Sequence, residues 1–190
     1  MGVDTLKCAP AAAWQHAFFL DELPVSSRLD VAPALPEELP AIAHMISEYI
    51  PNIKGNFAAF KRVHAYSDSI LCVKVDEEIV GCFACLFLNR VGLCRLLEGS
   101  LSMSQPEEAS LARAGERASA IYAWAICLPT IGLESMGNIM RWLCNPEYTR
   151  VDIYARPTTP KGAQFLKKLH FRPVADWVKD RSLLVGYRQF

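Results

Sequence analysis

Apolar and polar residues alternate at Val151, Asp152, Ile153, Tyr154 and Ala155, the period of a β-strand entered from Tyr148 and Arg150. Arg156-Pro157 stops it, because proline has no N–H for a ladder and turns its predecessor away from the helical region. A helix follows. Thr158 or Thr159 caps it, Pro160 sits in its first turn, and Ala163, Phe165, Leu166 and Leu169 form one apolar face. Lys161, Lys167 and Lys168 face water or an anion, and Phe171 to Val174 resumes an extended path.

The same periods mark the rest of the chain. Leu29 to Pro33 predicts a strand, and Pro36-Glu37-Glu38 opens a helix with Leu39, Ile42, Ala43, Ile46 and Tyr49 or Ile50 at helical spacing. Pro51-Asn52 ends that helix, and Asn56 caps a second one running to about Tyr66. Ser69 to Asp76 and Ile79 to Leu88 predict a hairpin turning at Asp76-Glu77-Glu78. Its second arm is an almost unbroken apolar run, as in a strand buried on both faces. Ala118 to Leu128 predicts a central strand that leads through Pro129-Thr130-Ile131-Gly132 into a helix with Met136, Ile139, Met140 and Leu143 on one side. Ser182 to Phe190 predicts a last strand. Two stretches give weaker patterns. Residues 1–28 read as an N-terminal extension with a short helix over Ala11 to Leu20. Asn89 to Arg117 reads as a long connection with a short helix over Pro106 to Ala114, and such loops are commonly lids or binding segments.

At 190 residues, 52% of them hydrophobic, the chain suits one domain with a full core, over 29–190. The net charge is zero, yet residues 141–190 hold ten Lys and Arg against four Asp and Glu, an excess of six. That basic third suits a phosphate-rich ligand, weighed equally against scattered, solvated charge. No dense basic run or nucleic-acid motif is present, so no nucleic-acid partner is predicted. The seven cysteines (Cys8, Cys72, Cys82, Cys85, Cys94, Cys127 and Cys144) are odd in number and mostly lie in apolar runs. They predict buried free thiols in a reducing compartment. Cys82 and Cys85 share a strand at an odd separation, hence opposite faces, with no matching Cys or His pair at zinc spacing; no metal is expected. The start carries Asp4 and no basic leader. The longest uncharged run, Ala118 to Leu133, is shorter than the ~20 residues of a membrane helix and contains Pro129. These features predict a cytoplasmic protein without a membrane partner.

Two helix starts suit anion binding, since their free N–H groups and dipole favour negative charge. One follows the central strand at Thr130, Ile131, Gly132 and Leu133; the other holds Thr158, Lys161 and Gly162. The order strand, ARPTTPKG, amphipathic helix, LHFRPV, with strand and ALPEELPAIAHMI helix at the opening, resembles the GNAT (Gcn5-related) N-acetyltransferases over roughly Leu29 to Phe190. The family's usual Gly-Phe is His170-Phe171 here. The resemblance implies an α/β fold (α+β in arrangement), a mixed and mostly antiparallel central sheet flanked by helices. It also implies acetyl-CoA or another acyl-CoA as donor substrate and a small-molecule or peptide amine as acceptor. A final hairpin used as an edge or homodimer element is part of the same expectation.

By the same resemblance, the coenzyme A pyrophosphate loop spans Pro129 to Glu134, and the donor's pantetheine arm pairs with backbone at Ile126 and Leu128. The family's pattern there is Arg or Gln, two residues, Gly, one residue, then Gly or Ala. This chain has Pro129, Gly132 and Glu134 at those places, and Glu134 repels a pyrophosphate; Gly137 offers a shifted register. The reaction implied is aminolysis of a thioester, which uses a base, an oxyanion donor and an acid for the leaving thiolate. Leu166 stands where family members place a Tyr acid, and the central strand has no Asp, Glu or His. The nearby candidates are Tyr122, Cys127 and Tyr154, weighed against a purely structural role for each. His64 and His44 on helices, and Glu98, Glu107 and Glu108 in the long connection, are candidate substrate contacts weighed against plain solvation. The alternative to an enzyme is a catalytically silent GNAT-like module that binds acyl-CoA or a protein partner.

Overall fold

The computed structural model describes residues 28–50, 57–102, 106–128, 132–143, 151–176 and 178–186, with backbone alone for 132–134. The expected helix over Ala11 to Leu20, the Asn56 cap, the turn Pro129 to Ile131 and the end of the last strand lie outside the described residues.

Among the described residues seven strands form one sheet: β1 (Asp30–Pro33), β2 (Ile70–Val75), β3 (Glu78–Leu88), β4 (Ala120–Cys127), β5 (Ile153–Ala155), β6 (Arg172–Pro173) and β7 (Leu184–Gly186). Their order is β1-β2-β3-β4-β5-β7-β6. Every neighbouring pair is antiparallel except β4 and β5, which run parallel. The sheet is therefore mixed and mostly antiparallel. The hairpin turn is tighter than expected: Asp76 and Glu77 both have positive φ (49° and 67°), and Val75 already pairs with Glu78. Two left-handed residues in a two-residue loop give the turn whose twist matches its strands.

Helices α1 (Leu39–Tyr49) and α2 (Phe57–Ser67) precede the hairpin, and α3 (Arg90–Glu98) follows it. α3 occupies the first part of the expected long connection. The Asn89 side chain accepts a hydrogen bond from the Gly92 amide at 3.0 Å, capping the helix, and Gly99 ends it in the left-handed region at φ 73°. The helix expected over Pro106 to Ala114 shrinks to one 3₁₀ turn, Glu108–Ser110. α4 (Gly132–Leu143) follows β4, and α5 (Pro160–Lys168) follows β5.

The sheet divides two layers. On one side Met136, Ile139, Met140 and Leu143 of α4 and Leu166 of α5 pack on Leu71, Val73, Phe83, Cys85, Phe87, Ile121 and Ala123. On the other, Leu39, Ile42 and Ile46 of α1 cover Ile70, Cys72, Cys82 and Ala84. Val63 of α2 and Leu96 of α3 cover Leu86, Leu88, Ala120 and Tyr122. β3 thus loses both faces to the core, as its unbroken apolar run predicts. Cys82 and Cys85 fall on opposite faces, as their spacing predicts.

Candidate functional site

β4 and β5 are joined over three residue pairs, Ile121↔Ile153, Tyr122↔Tyr154 and Ala123↔Ala155. There β5 ends, because Pro157 lies two residues on, while β4 continues to Cys127. β4 also carries a bulge at this point. Its partner β3 advances one residue from Ala84 to Cys85 while β4 passes from Ala125 to Ala123, leaving Trp124 opposite nothing. A bulge bends and twists its strand, so β4 leans away from β5 where the pairing stops.

The gap is a cavity of about 390 Å³. β4 contributes Ala123, Trp124, Ile126, Cys127 and Leu128 to its lining. Facing them are Ala155 to Thr159, then Lys161, Gly162, Phe165 and Leu166 of α5, while Tyr49 and Ile50 close it from the end of α1. Past Ala123, β4 has no β5 partner, which leaves a strand edge for an extended ligand to complete. At the start of α5 the Thr159 hydroxyl accepts from the Gly162 amide at 3.0 Å. This fixes Thr159, not Thr158, as the cap. Lys161 and Thr158 are exposed beside it. Among the described residues the lining includes the cations Lys161 and Arg156 and no Asp or Glu. Arg156 is ion-paired with Asp180.

The residues singled out in the sequence separate into groups. Ile126, Leu128, Thr158, Lys161 and Gly162 all line the cavity, and so does Cys127. Cys127 lies opposite Cys82, which lies opposite Cys72, a row of three thiols across three strands. Its contact with the Cys82 thiol holds the Cys127 thiol below its ordinary value, against burial, which pushes it up. Tyr122 and Tyr154 are paired across β4 and β5 but buried in the layer with Leu86, Leu183 and Val185, away from the cavity lining. Burial pushes the Tyr122 phenol up, while Arg156 pulls it down. Gly132 and Leu133 open α4, directly after the strand that walls the cavity; Thr130 and Ile131 lie outside the described residues.

His64 is not a solvated surface residue. It is 5% exposed, with Nε2 2.8 Å from the Ala34 carbonyl and Nδ1 accepting from the Ile70 amide at 3.3 Å. Glu107 pairs with Arg95 at 2.5 Å. Glu98 and Glu108 are exposed, as is His44, and none of these four lines the cavity. Tyr49, Trp124, Arg156 and Phe165 line it without having been singled out for the site. Tyr49 closes a recognisable helix, but the place of Trp124 depends on a bulge that no single-strand pattern announces.

No family model matches this chain, and no curated protein sequence matches it. Solved structures do. The chain is similar to Ard1 from Thermoplasma volcanium, with 12% identity over 85% of this chain and 97% of that one, at a TM-score of 0.52. It is similar to Arabidopsis thaliana Naa50 in complex with the bisubstrate analogue CoA-Ac-MVNAL, with 13% identity over 86% and 99%, at a TM-score of 0.51. It is also similar to the loading GNATL domain of CurA from Lyngbya majuscula, with 10% identity over 83% and 94%, at a TM-score of 0.54. The fold is that of the GNAT acetyltransferases.

Proposed function

We propose that this chain is an acyl-CoA-dependent N-acyltransferase whose donor lies in the cleft between β4 and β5. The observation that carries this reading is the fork itself. Two parallel strands pair for three residues and then part around a cavity of about 390 Å³, each leading into a helix start. An extended amide chain suits the free edge of β4, and an anionic end suits the helix starts and Lys161. That a structural relative, Naa50, is seen with a CoA bisubstrate analogue supports the same reading.

In the reaction, the amine nitrogen forms a bond to the thioester carbonyl carbon, the carbon–sulfur bond breaks, and the thiolate takes up a proton. The amine must be neutral when it attacks. Among the described lining residues, the Tyr49 hydroxyl and the Cys127 thiol carry exchangeable protons, besides the Lys161 amine. The main contribution of the site in this reading is alignment, which alone is able to supply several kcal/mol.

Calorimetric titration with acetyl-CoA tests the donor site. Lys161→Glu exchanges an attraction for a repulsion at an exposed position, so donor affinity should fall about tenfold at low salt and recover partly at high salt. No binding by the unaltered chain refutes the reading. A second reading, a silent acyl-CoA binder, is favoured by one feature: Leu166, not a proton donor, stands in the cavity wall on α5. Donor binding without thiol release against any amine would select it.

A further inference from the structure

The two strands of the fork point the same way, and each ends at a helix start, Gly132 for α4 and Pro160 for α5. Anionic groups belong at those starts. The reactive end of a donor lying along β4 therefore points back to the fork, at Ala123 and Ala155, and an acceptor must reach that place.

Trp124 stands at the fork as the unpartnered residue of the bulge. Its ring packs on the layer side of α1 and α2. Phe60 of α2 meets it edge-on at 5.8 Å, and Phe57 stacks on Phe60 at 6.0 Å with 27° between the planes. Phe57 is 44% exposed, and Tyr49, which lines the cavity, is 52% exposed. A run of ring contacts thus links Trp124, in the cavity lining, through Phe60 to exposed Phe57, the last two lying outside that lining.

Charge points the same way. Among the described residues no carboxylate lines the cavity to receive a polycation, and Lys161 would repel one, while Arg156 is paired with Asp180. His64, the histidine of α2, has both ring nitrogens committed to backbone.

We propose that the acceptor is a monoamine with an aromatic or comparably bulky apolar group close to its nitrogen, seated on Trp124, Phe60 and Phe57. This rests on the acyl-donor reading and adds the substrate class to it.

The test is calorimetric titration of the CoA-saturated protein with 2-phenylethylamine, n-propylamine and spermidine. The aromatic amine should bind tightest, by about tenfold over either of the others. Phe60→Ala and Phe57→Ala should each weaken it by roughly two- to tenfold, the span of one aromatic contact, with acetyl-CoA affinity unchanged. Phe57 is exposed, so its truncation keeps the question open to answer if Phe60→Ala fails to fold. Equal or tighter spermidine binding, or indifference of 2-phenylethylamine binding to Phe57→Ala, overturns the proposal while leaving the donor reading standing. Failure to bind CoA at all overturns both.

Discussion

His64→Ala tests whether a histidine beside a candidate site serves the fold or the chemistry. His64 is buried, and its Nε2 lies 2.8 Å from the Ala34 carbonyl, so that nitrogen carries the proton and donates. Its Nδ1 accepts from the Ile70 amide at 3.3 Å. Ala34 follows β1 and Ile70 opens β2; both are almost fully buried, and one side chain of α2 ties them together. Truncation strands a buried N–H and a buried C=O, each costing about 1–3 kcal/mol. The longer bond belongs at the low end of that range, so about 3 kcal/mol in all is expected. With a urea slope of about 1–3 kcal/mol per molar, the unfolding midpoint should fall by roughly 1–3 M. His64→Asn keeps an acceptor for Ile70 and His64→Gln a donor toward Ala34, so each should recover about half the loss. Acetyl-CoA affinity per folded molecule should not move. A shift below about 0.5 kcal/mol would refute the reasoning. So would lost acyl transfer with an unchanged melt, which would return His64 to the chemistry.

Asp152 gives a pH dependence. Burial pushes its carboxyl up to about 6. The folded chain then holds the proton more tightly than the unfolded one, so this contribution to stability is full below the ordinary carboxylate range and disappears as pH rises through about 6. Asp152→Asn should stabilise the protein at pH 7 by about 1–3 kcal/mol and flatten the stability profile between pH 4 and 7; an unchanged profile by chemical denaturation contradicts the burial account. Gly92→Ala places a methyl 2.0 Å from the Ser110 carbonyl oxygen, so α3 and the following turn must separate. A loss of at least about 2 kcal/mol by thermal melt is expected, and a neutral result would mean that the two segments do not touch.

Much of this architecture was legible because its signals are local. Proline at 157, a threonine cap and apolar residues three and four apart define α5 wherever it packs, and with it the cavity positions Thr158, Lys161 and Gly162. The unbroken apolar run of β3 likewise announced burial on both faces. The α3 helix had local signals too, Asn89 before it and Gly99 after it. Gly92 between them is a poor helix former, although its missing side chain is what lets Ser110 approach. The fork was legible only in outline. Where β4 parts from β5, and which face Trp124 takes, depend on register between strands far apart in sequence. For the same reason Tyr122 and Tyr154, candidates by their place beside the expected cleft, are turned by the sheet toward the core layer. His64 went unread as a staple because its partners, Ala34 and Ile70, are set by how α2 docks.

The three-pair seam between β4 and β5 is also the sole strand ladder joining the described β1–β4 half of the sheet to β5, β7 and β6. Parallel pairing is the weaker kind per residue, and this ladder has three pairs of it. The molecule's groove therefore opens at the parallel joint between these two halves. A guest laid along the bare margin of β4 and touching α5 would act as a splint, stiffening the outer strands most, and leaving the β2–β3 hairpin as rigid as before.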